Sequence, residues 1–118
     1  MISSSLEEYL KTIYVLKKNG EEIKVTTIAN KMNLTKPSVN KALKTLKANN
    51  LIDYKAYGDI SLTESGETLA KKVLEAYDIV YVFLTEVLGV PKTDAETEAI
   101  KLKSVLEDNT LNLLTKYV

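Results

Sequence analysis

Between Thr35 and Lys44 the chain sets the hydroxyls of Thr35 and Ser38, the amide of Asn40 and the ammonium groups of Lys36, Lys41 and Lys44 around Pro37. Groups of this kind hydrogen-bond and neutralise anions. Val39, Leu43 and Leu46 recur at spacings of four and three, which makes the stretch a helix with a buried stripe. Its other side offers short hydrogen-bonding groups and cations at the N-terminal end, where a recognition helix meets base edges and phosphates. The chemistry expected of these residues is therefore binding to a polyanion, and the elements around them must hold that helix outward.

Those elements read as a helix-turn-helix with a wing, from Thr26 to Thr63. Thr26 caps a short helix over Thr27 to Met32 that turns Ile28, Ala29 and Met32 inward, with Thr27 as a further DNA-facing candidate. Met32-Asn33-Leu34-Thr35 is the turn; Asn33 tolerates a left-handed conformation, and Leu34 is expected to plug the angle between the helices. Thr35 caps the recognition helix, Pro37 is acceptable in its first turn, and Asn49-Asn50 ends it. Leu51 to Lys55 and Asp59 to Thr63 alternate as two short strands joined by the tip Ala56-Tyr57-Gly58-Asp59. Lys55 and Tyr57 would rest on sugar and phosphate, although Tyr57 serves equally well as a packing aromatic.

Upstream, Ser5-Leu6-Glu7-Glu8 is a capping-box pattern that opens an amphipathic helix from Leu6 to Lys18, stopped by Asn19-Gly20. Glu21 to Val25 is a short connector. Downstream, Thr63 caps a long helix from Glu64 to Leu88 whose stripe runs Leu69, Val73, Tyr77, Val80, Leu84 and Val87. Its second half is apolar nearly all round, so more than one face is buried. Gly89-Val90-Pro91 ends it. Thr93 or Asp94 caps a helix with Ile100, Leu102, Val105 and Leu106, and Asp108 or Asn109 opens a last one with Leu111, Leu113 and Leu114. This apolar surface reads either as a helical cap on the same core or as a dimerisation unit, the reading preferred here, with Val80, Phe83, Leu84, Val87, Leu113 and Leu114 at the interface. The fold class expected is mainly α with a small β wing: a winged helix-turn-helix domain over 1–63, then a helical dimerisation domain over 64–118 that shares the first long helix.

The 118 residues suit one domain with a docking extension, and 45% apolar content argues against disorder. The absence of Cys and His excludes a disulfide framework, zinc fingers, thiol catalysis and histidine acid–base chemistry. No apolar run approaches the roughly 18 residues of a membrane span, and MISSS lacks a signal-peptide pattern, so a cytoplasmic protein is expected. The net charge of +0 hides an asymmetry. Lys24, Lys31, Lys36, Lys41, Lys44, Lys47 and Lys55 stand against Asp53 alone in one segment, whereas Glu64 to Glu98 holds Glu64, Glu67, Glu75, Asp78, Glu86, Asp94, Glu96 and Glu98 against Lys71, Lys72 and Lys92.

Taken together, the run from Ser5 to Tyr14, Ile28-Ala29, Pro37-Ser38-Val39, Leu62-Thr63 with Gly66, and Phe83-Leu84 to Leu88-Gly89-Val90 resemble the diphtheria toxin repressor family of iron- and manganese-dependent transcriptional repressors. The resemblance implies a winged helix, a helical dimerisation domain and a homodimer on a palindromic operator in double-stranded DNA. It implies that Thr35, Pro37, Ser38 and Lys41 lie near bases and Lys36, Asn40 and Lys44 on or near phosphates. The family's optional third, barrel-like domain is absent or lies outside this sequence.

Family members bind an activating Fe2+ or Mn2+ ion through carboxylates, His and sometimes Cys or Met. The corresponding positions here are Glu8, Lys11, Tyr77, Tyr81, Ile100, Lys103 and Ser104, of which only Glu8 suits a metal. The expectation is a regulator that is metal-independent or answers to an altered effector, in which a Glu8–Lys103 ion pair and packing by Tyr77 and Tyr81 stand in for the metal bridge. A displaced oxygen-only site around Glu96, Glu98, Glu107 or Asp108 is the less favoured alternative. Two other functions compete: a winged-helix protein–protein interaction module, and an enzyme, which has no phosphate loop, nucleophile elbow or His behind it.

Overall fold

The computed structural model describes residues 2–55 and 59–118. It divides into two units, Met1–Lys71 and Lys72–Val118.

The first unit opens with α1, Ser4–Lys18. Its cap is Ser3 rather than Ser5: the Ser3 backbone is extended, and its hydroxyl oxygen accepts from the Leu6 N–H at 3.2 Å. Ser5 is already inside the helix, and Glu8 turns to Lys11 instead of reaching back to a cap. Tyr9, Leu10, Ile13, Tyr14 and Leu16 form the buried face. Gly20, at φ 69°, ends the helix as expected, with the Glu21 N–H donating to the Leu16 carbonyl at 3.0 Å.

The connector is irregular, and α2 runs Val25–Met32 with Lys24, not Thr26, at its N-cap and no side-chain cap bond. Ile28 and Ala29 are buried, and Asn33 closes the helix in the left-handed conformation at φ 55°. Leu34, expected to plug the interhelical angle, is 43% exposed, whereas Ile28 on this helix and Val39 and Leu43 beyond the turn are each 0% exposed. Next comes α3, Lys36–Ala48, which buries Val39, Ala42, Leu43 and Leu46. The three helices pack pairwise.

The wing is a two-stranded antiparallel sheet of β1, Ile52–Tyr54, and β2, Ile60–Leu62, with Ile52 opposite Leu62 and Tyr54 opposite Ile60. Both strands are shorter than expected. Ile52 and Ile60 point inward, where β1 meets α3 and β2 meets α1. Ala56, Tyr57 and Gly58 of the expected tip lie outside the described residues.

Helix α4, Glu64–Val82, starts in the first unit, where Thr63 Oγ1 accepts from the Gly66 N–H at 3.0 Å and donates to the Asn50 carbonyl at 2.7 Å. The α-helix does not continue to Leu88. Its last turn widens into a π-helical turn over Phe83–Val87, where the Leu88 N–H donates to the Phe83 carbonyl at 3.2 Å. The second unit continues with α5, Lys92–Val105, and α6, Asp108–Leu114, which ends in a 3-10 turn at Thr115–Tyr117. Its core is Val80, Leu84, Ala95 and Ala99, flanked by Tyr77, Tyr81, Val90, Leu102, Leu106, Leu111 and Leu114. The buried face of α5 is therefore Ala95, Ala99 and Lys103, while Val105, expected inside, is 74% exposed.

Because Leu43 is fully buried, Leu43→Ala should cost about 2–5 kcal/mol of stability. The adjacent, exposed Lys44→Ala should stay within about 0.5 kcal/mol. Urea unfolding of both variants checks this.

Candidate nucleic-acid interface

Helix α3 is split along its length into a buried stripe and an open face. Lys36, Pro37, Ser38, Lys41 and Lys44 are exposed, and Asn40 is half-buried. Among the described residues none of Lys36, Lys41 and Lys44 is paired with a carboxylate, whereas Lys11, Lys17, Lys24, Lys31 and Lys72 each are. The open face is thus an array of uncompensated cations at the N-terminal half of a helix, the end where negative charge is favoured.

The first turn fixes what each hydroxyl has left to offer. Thr35 Oγ1 accepts from the Ser38 N–H at 3.3 Å and donates to Ser38 Oγ at 2.9 Å. Thr35 is fully engaged in capping, while Ser38, having accepted, keeps its own proton for an outside acceptor. Thr27 is half-buried on α2, and Lys55 is exposed just after β1, with its N–H donating to the Asp59 carbonyl at 3.2 Å. Tyr57 lies outside the described residues.

Two contacts missed by sequence reading tie α3 to the wing. The Tyr54 hydroxyl donates to Asn40 Oδ1 at 3.3 Å, and Lys47 Nζ donates to the Tyr54 carbonyl at 2.9 Å. The sequence offered no periodic signal for either, because Tyr54 and Asn40 come together only when β1 folds back along α3.

The residues expected at the metal positions offer a poor donor set for a divalent cation. On α1, Lys11 Nζ stands 2.8 Å from Glu8 Oε1, and the two side chains are only 13% and 15% exposed. An ammonium 4 Å from a dication, at an effective dielectric of 20, opposes it by roughly 8 kcal/mol. In the second unit, Tyr77 and Tyr81 stack with ring centroids 5.8 Å apart and planes at 21°. There Lys103 is buried at 6% exposure, Ile100 is half-buried, and Ser104 Oγ donates to the Lys101 carbonyl at 2.7 Å. Glu96, Glu98, Glu107 and Asp108 are exposed, and Asp108 sits 3.9 Å from Lys72 Nζ. Among the described residues no three His, Cys, Asp or Glu side chains are grouped to hold a metal.

The residues expected at a dimer interface fall into two sets. Val80 and Leu84 belong to the second unit's own core and have almost no surface to give a partner. Phe83 and Leu114 are half-buried, whereas Val87 and Leu113 are 49% and 55% exposed.

Residues 1–60 match the family described as "Iron dependent repressor, N-terminal DNA binding domain", and residues 63–118 match "Iron dependent repressor, metal binding and dimerisation domain". An HTH-type transcriptional regulator of Methanocaldococcus jannaschii is 37% identical over 114 residues, covering 96% of this chain and 91% of that protein. The diphtheria toxin repressor of Corynebacterium diphtheriae is 26% identical over 110 residues, 93% of this chain but 49% of that protein. The structure of the manganese regulator SloR superposes with a TM-score of 0.86 at 29% identity, covering 95% of this chain and 52% of that one. The chain thus spans about half the length of the latter two relatives. Matched along nearly its whole length, with a winged helix followed by a helical unit, the chain belongs to the iron-dependent repressor family.

Proposed function

We propose that the chain is a dimeric transcriptional regulator that binds a palindromic DNA operator as a repressor and needs no metal to do so. The observation that carries the DNA-binding reading is the open face of α3, where Lys36, Lys41 and Lys44 are exposed and, among the described residues, unpaired with any carboxylate. In this reading Ser38 and Lys41 face base edges together with Thr35 and Pro37, while Lys36, Asn40 and Lys44 lie on or near phosphates. Lys55, Thr27 and Tyr57 flank them.

The homodimer reading is supported by where the exposed large hydrophobic residues fall. Among the described residues Val87, Leu88, Val105, Leu113, Tyr117 and Val118 all belong to the second unit, and only Leu34 belongs to the first. Apolar surface of this kind marks an interaction site, and a two-fold partner would present two reading heads to two half-sites. Metal independence is supported by the shielded Glu8–Lys11 pair, in which an internal ammonium already neutralises the carboxylate. The interaction-module alternative leaves the uncompensated lysines of α3 without a role.

Salt tests the DNA reading directly. With 6–10 phosphates contacted, affinity for a duplex should fall about 10³- to 10⁵-fold between 50 and 200 mM salt. An unchanged affinity over that range, or no retardation of any duplex, would remove the reading.

A further inference from the structure

We infer that Tyr54 is a positioning residue for Asn40: it holds the Asn40 amide by its oxygen so that the nitrogen is the end turned to DNA. The inference rests on the DNA-binding reading above and adds the chemistry of one contact to it.

Asn40 occupies the one half-buried position among the polar residues at the start of α3; its neighbours Ser38 and Lys41 are open. An unrestrained asparagine amide can turn over, presenting either an acceptor oxygen or a donor NH2 to whatever it meets. Here Oδ1 accepts from the Tyr54 hydroxyl at 3.3 Å; a phenol hydroxyl can donate or accept, but it donates more strongly than it accepts, which favours this orientation over its reverse. The two hydrogens on Nδ2 then remain for an outside acceptor.

The anchor itself is held. Tyr54 is half-buried and ends β1, directly opposite Ile60 in the sheet, and its carbonyl receives Lys47 Nζ at 2.9 Å. Wing and recognition helix are therefore tied twice through the same residue, at positions about two turns apart on α3. Lys47 has a consequence of its own: its ammonium bonds to the protein, which sets it apart from Lys36, Lys41 and Lys44.

The chemistry that recognises such an amide is a hydrogen-bond acceptor on the duplex, either a base-edge atom or a phosphate oxygen. Base edges carry acceptors on purines and on thymine in the major groove, and phosphate oxygens accept from amides throughout.

The test uses the full chain as Tyr54→Phe, Asn40→Ala and the double variant. Each is measured on a duplex selected by the wild type from a random pool, on single base-pair variants of that duplex and on an unrelated one. Tyr54→Phe keeps the ring, so the thermal midpoint should hold while affinity for the selected duplex falls about 3- to 10-fold. The double variant should be no weaker than Asn40→Ala, since a residue acting only through Asn40 has nothing further to lose. Loss concentrated at one base pair identifies a base-edge acceptor, and uniform loss identifies a phosphate. Additive losses, or no loss in Tyr54→Phe, would overturn the inference.

A DNA-free readout separates it from the reading it rests on. In 15N NMR the Asn40 side-chain NH2 should be ordered in the wild type and averaged in Tyr54→Phe. An amide already averaged in the wild type would overturn the positioning role even if DNA binds. A wild type that binds no duplex would instead overturn the DNA-binding reading and, with it, the assignment of the acceptor.

Discussion

Lys41→Glu should abolish duplex binding, by at least about 100-fold, while leaving the fold and the state of assembly intact. The residue is exposed on the open face of α3, so surface arguments predict almost no stability change. On DNA the exchange does two things at once. It removes a cationic contact, worth about 1–3 kcal/mol when it reaches a base edge, and sets a carboxylate against the phosphate field. Gel retardation measures the loss, and sedimentation of the free protein checks the state of assembly. A variant that still shifts the selected duplex within a few-fold of wild type would take Lys41 out of the interface.

Gly66→Ala is expected to do the reverse, damaging the fold at a residue that touches no ligand. A Cβ at position 66 would stand 1.8 Å from the Leu51 carbonyl oxygen and 2.8 Å from its carbon. That carbonyl is backbone, and it already accepts the Thr63 N–H at 3.1 Å. Around it Thr63 and Ser65 both donate to the Asn50 carbonyl, at 2.7 and 3.2 Å. The start of α4 is thus seated on the corner between α3 and β1 with no side chain between them. Overpacking of this kind costs about 1–3 kcal/mol and sometimes more, which for a domain of this size lowers the thermal midpoint by roughly 4–8 °C per kcal/mol. Circular dichroism melting checks it; a midpoint unchanged from wild type would mean that the close approach is not maintained in solution.

The two predictions mark what the sequence made legible. The helix-turn-helix could be read because its punctuation is chemical: Asn33 in the left-handed conformation, Thr35 on the Ser38 N–H, and Gly20 at φ 69° each do what their residue type allows and few others do. Gly66 could be singled out by resemblance, but the reason for it needs the Leu51 carbonyl, which lies fifteen residues away along the chain and arrives only through the wing. The capping of α1 was ambiguous at its root, since Ser3, Ser4 and Ser5 offer the same hydroxyl. Only the extended Ser3 backbone decides among them.

The second unit was harder for a different reason. Its inner face on α5 is Ala95, Ala99 and Lys103, spaced by four. Two weak hydrophobes and a lysine read as surface beside Ile100, Leu102 and Val105. The alanines are inside because only small side chains fit against Val80 and Leu84. Lys103 follows them inside by helical register, which no count of apolar residues reveals. The same limit applies to Val80 and Leu84: an apolar stripe cannot tell a residue that fills its own core from one that waits for a partner.

The central claim is a DNA reader whose binding does not depend on a metal, and a selection of bound duplexes from a random pool tests it most directly. The selection is run once with a strong chelator and once with added manganese or iron. The account predicts the same two-fold symmetric site in both, bound with equal affinity. Failure to enrich any duplex, or enrichment only when the metal is present, would contradict it.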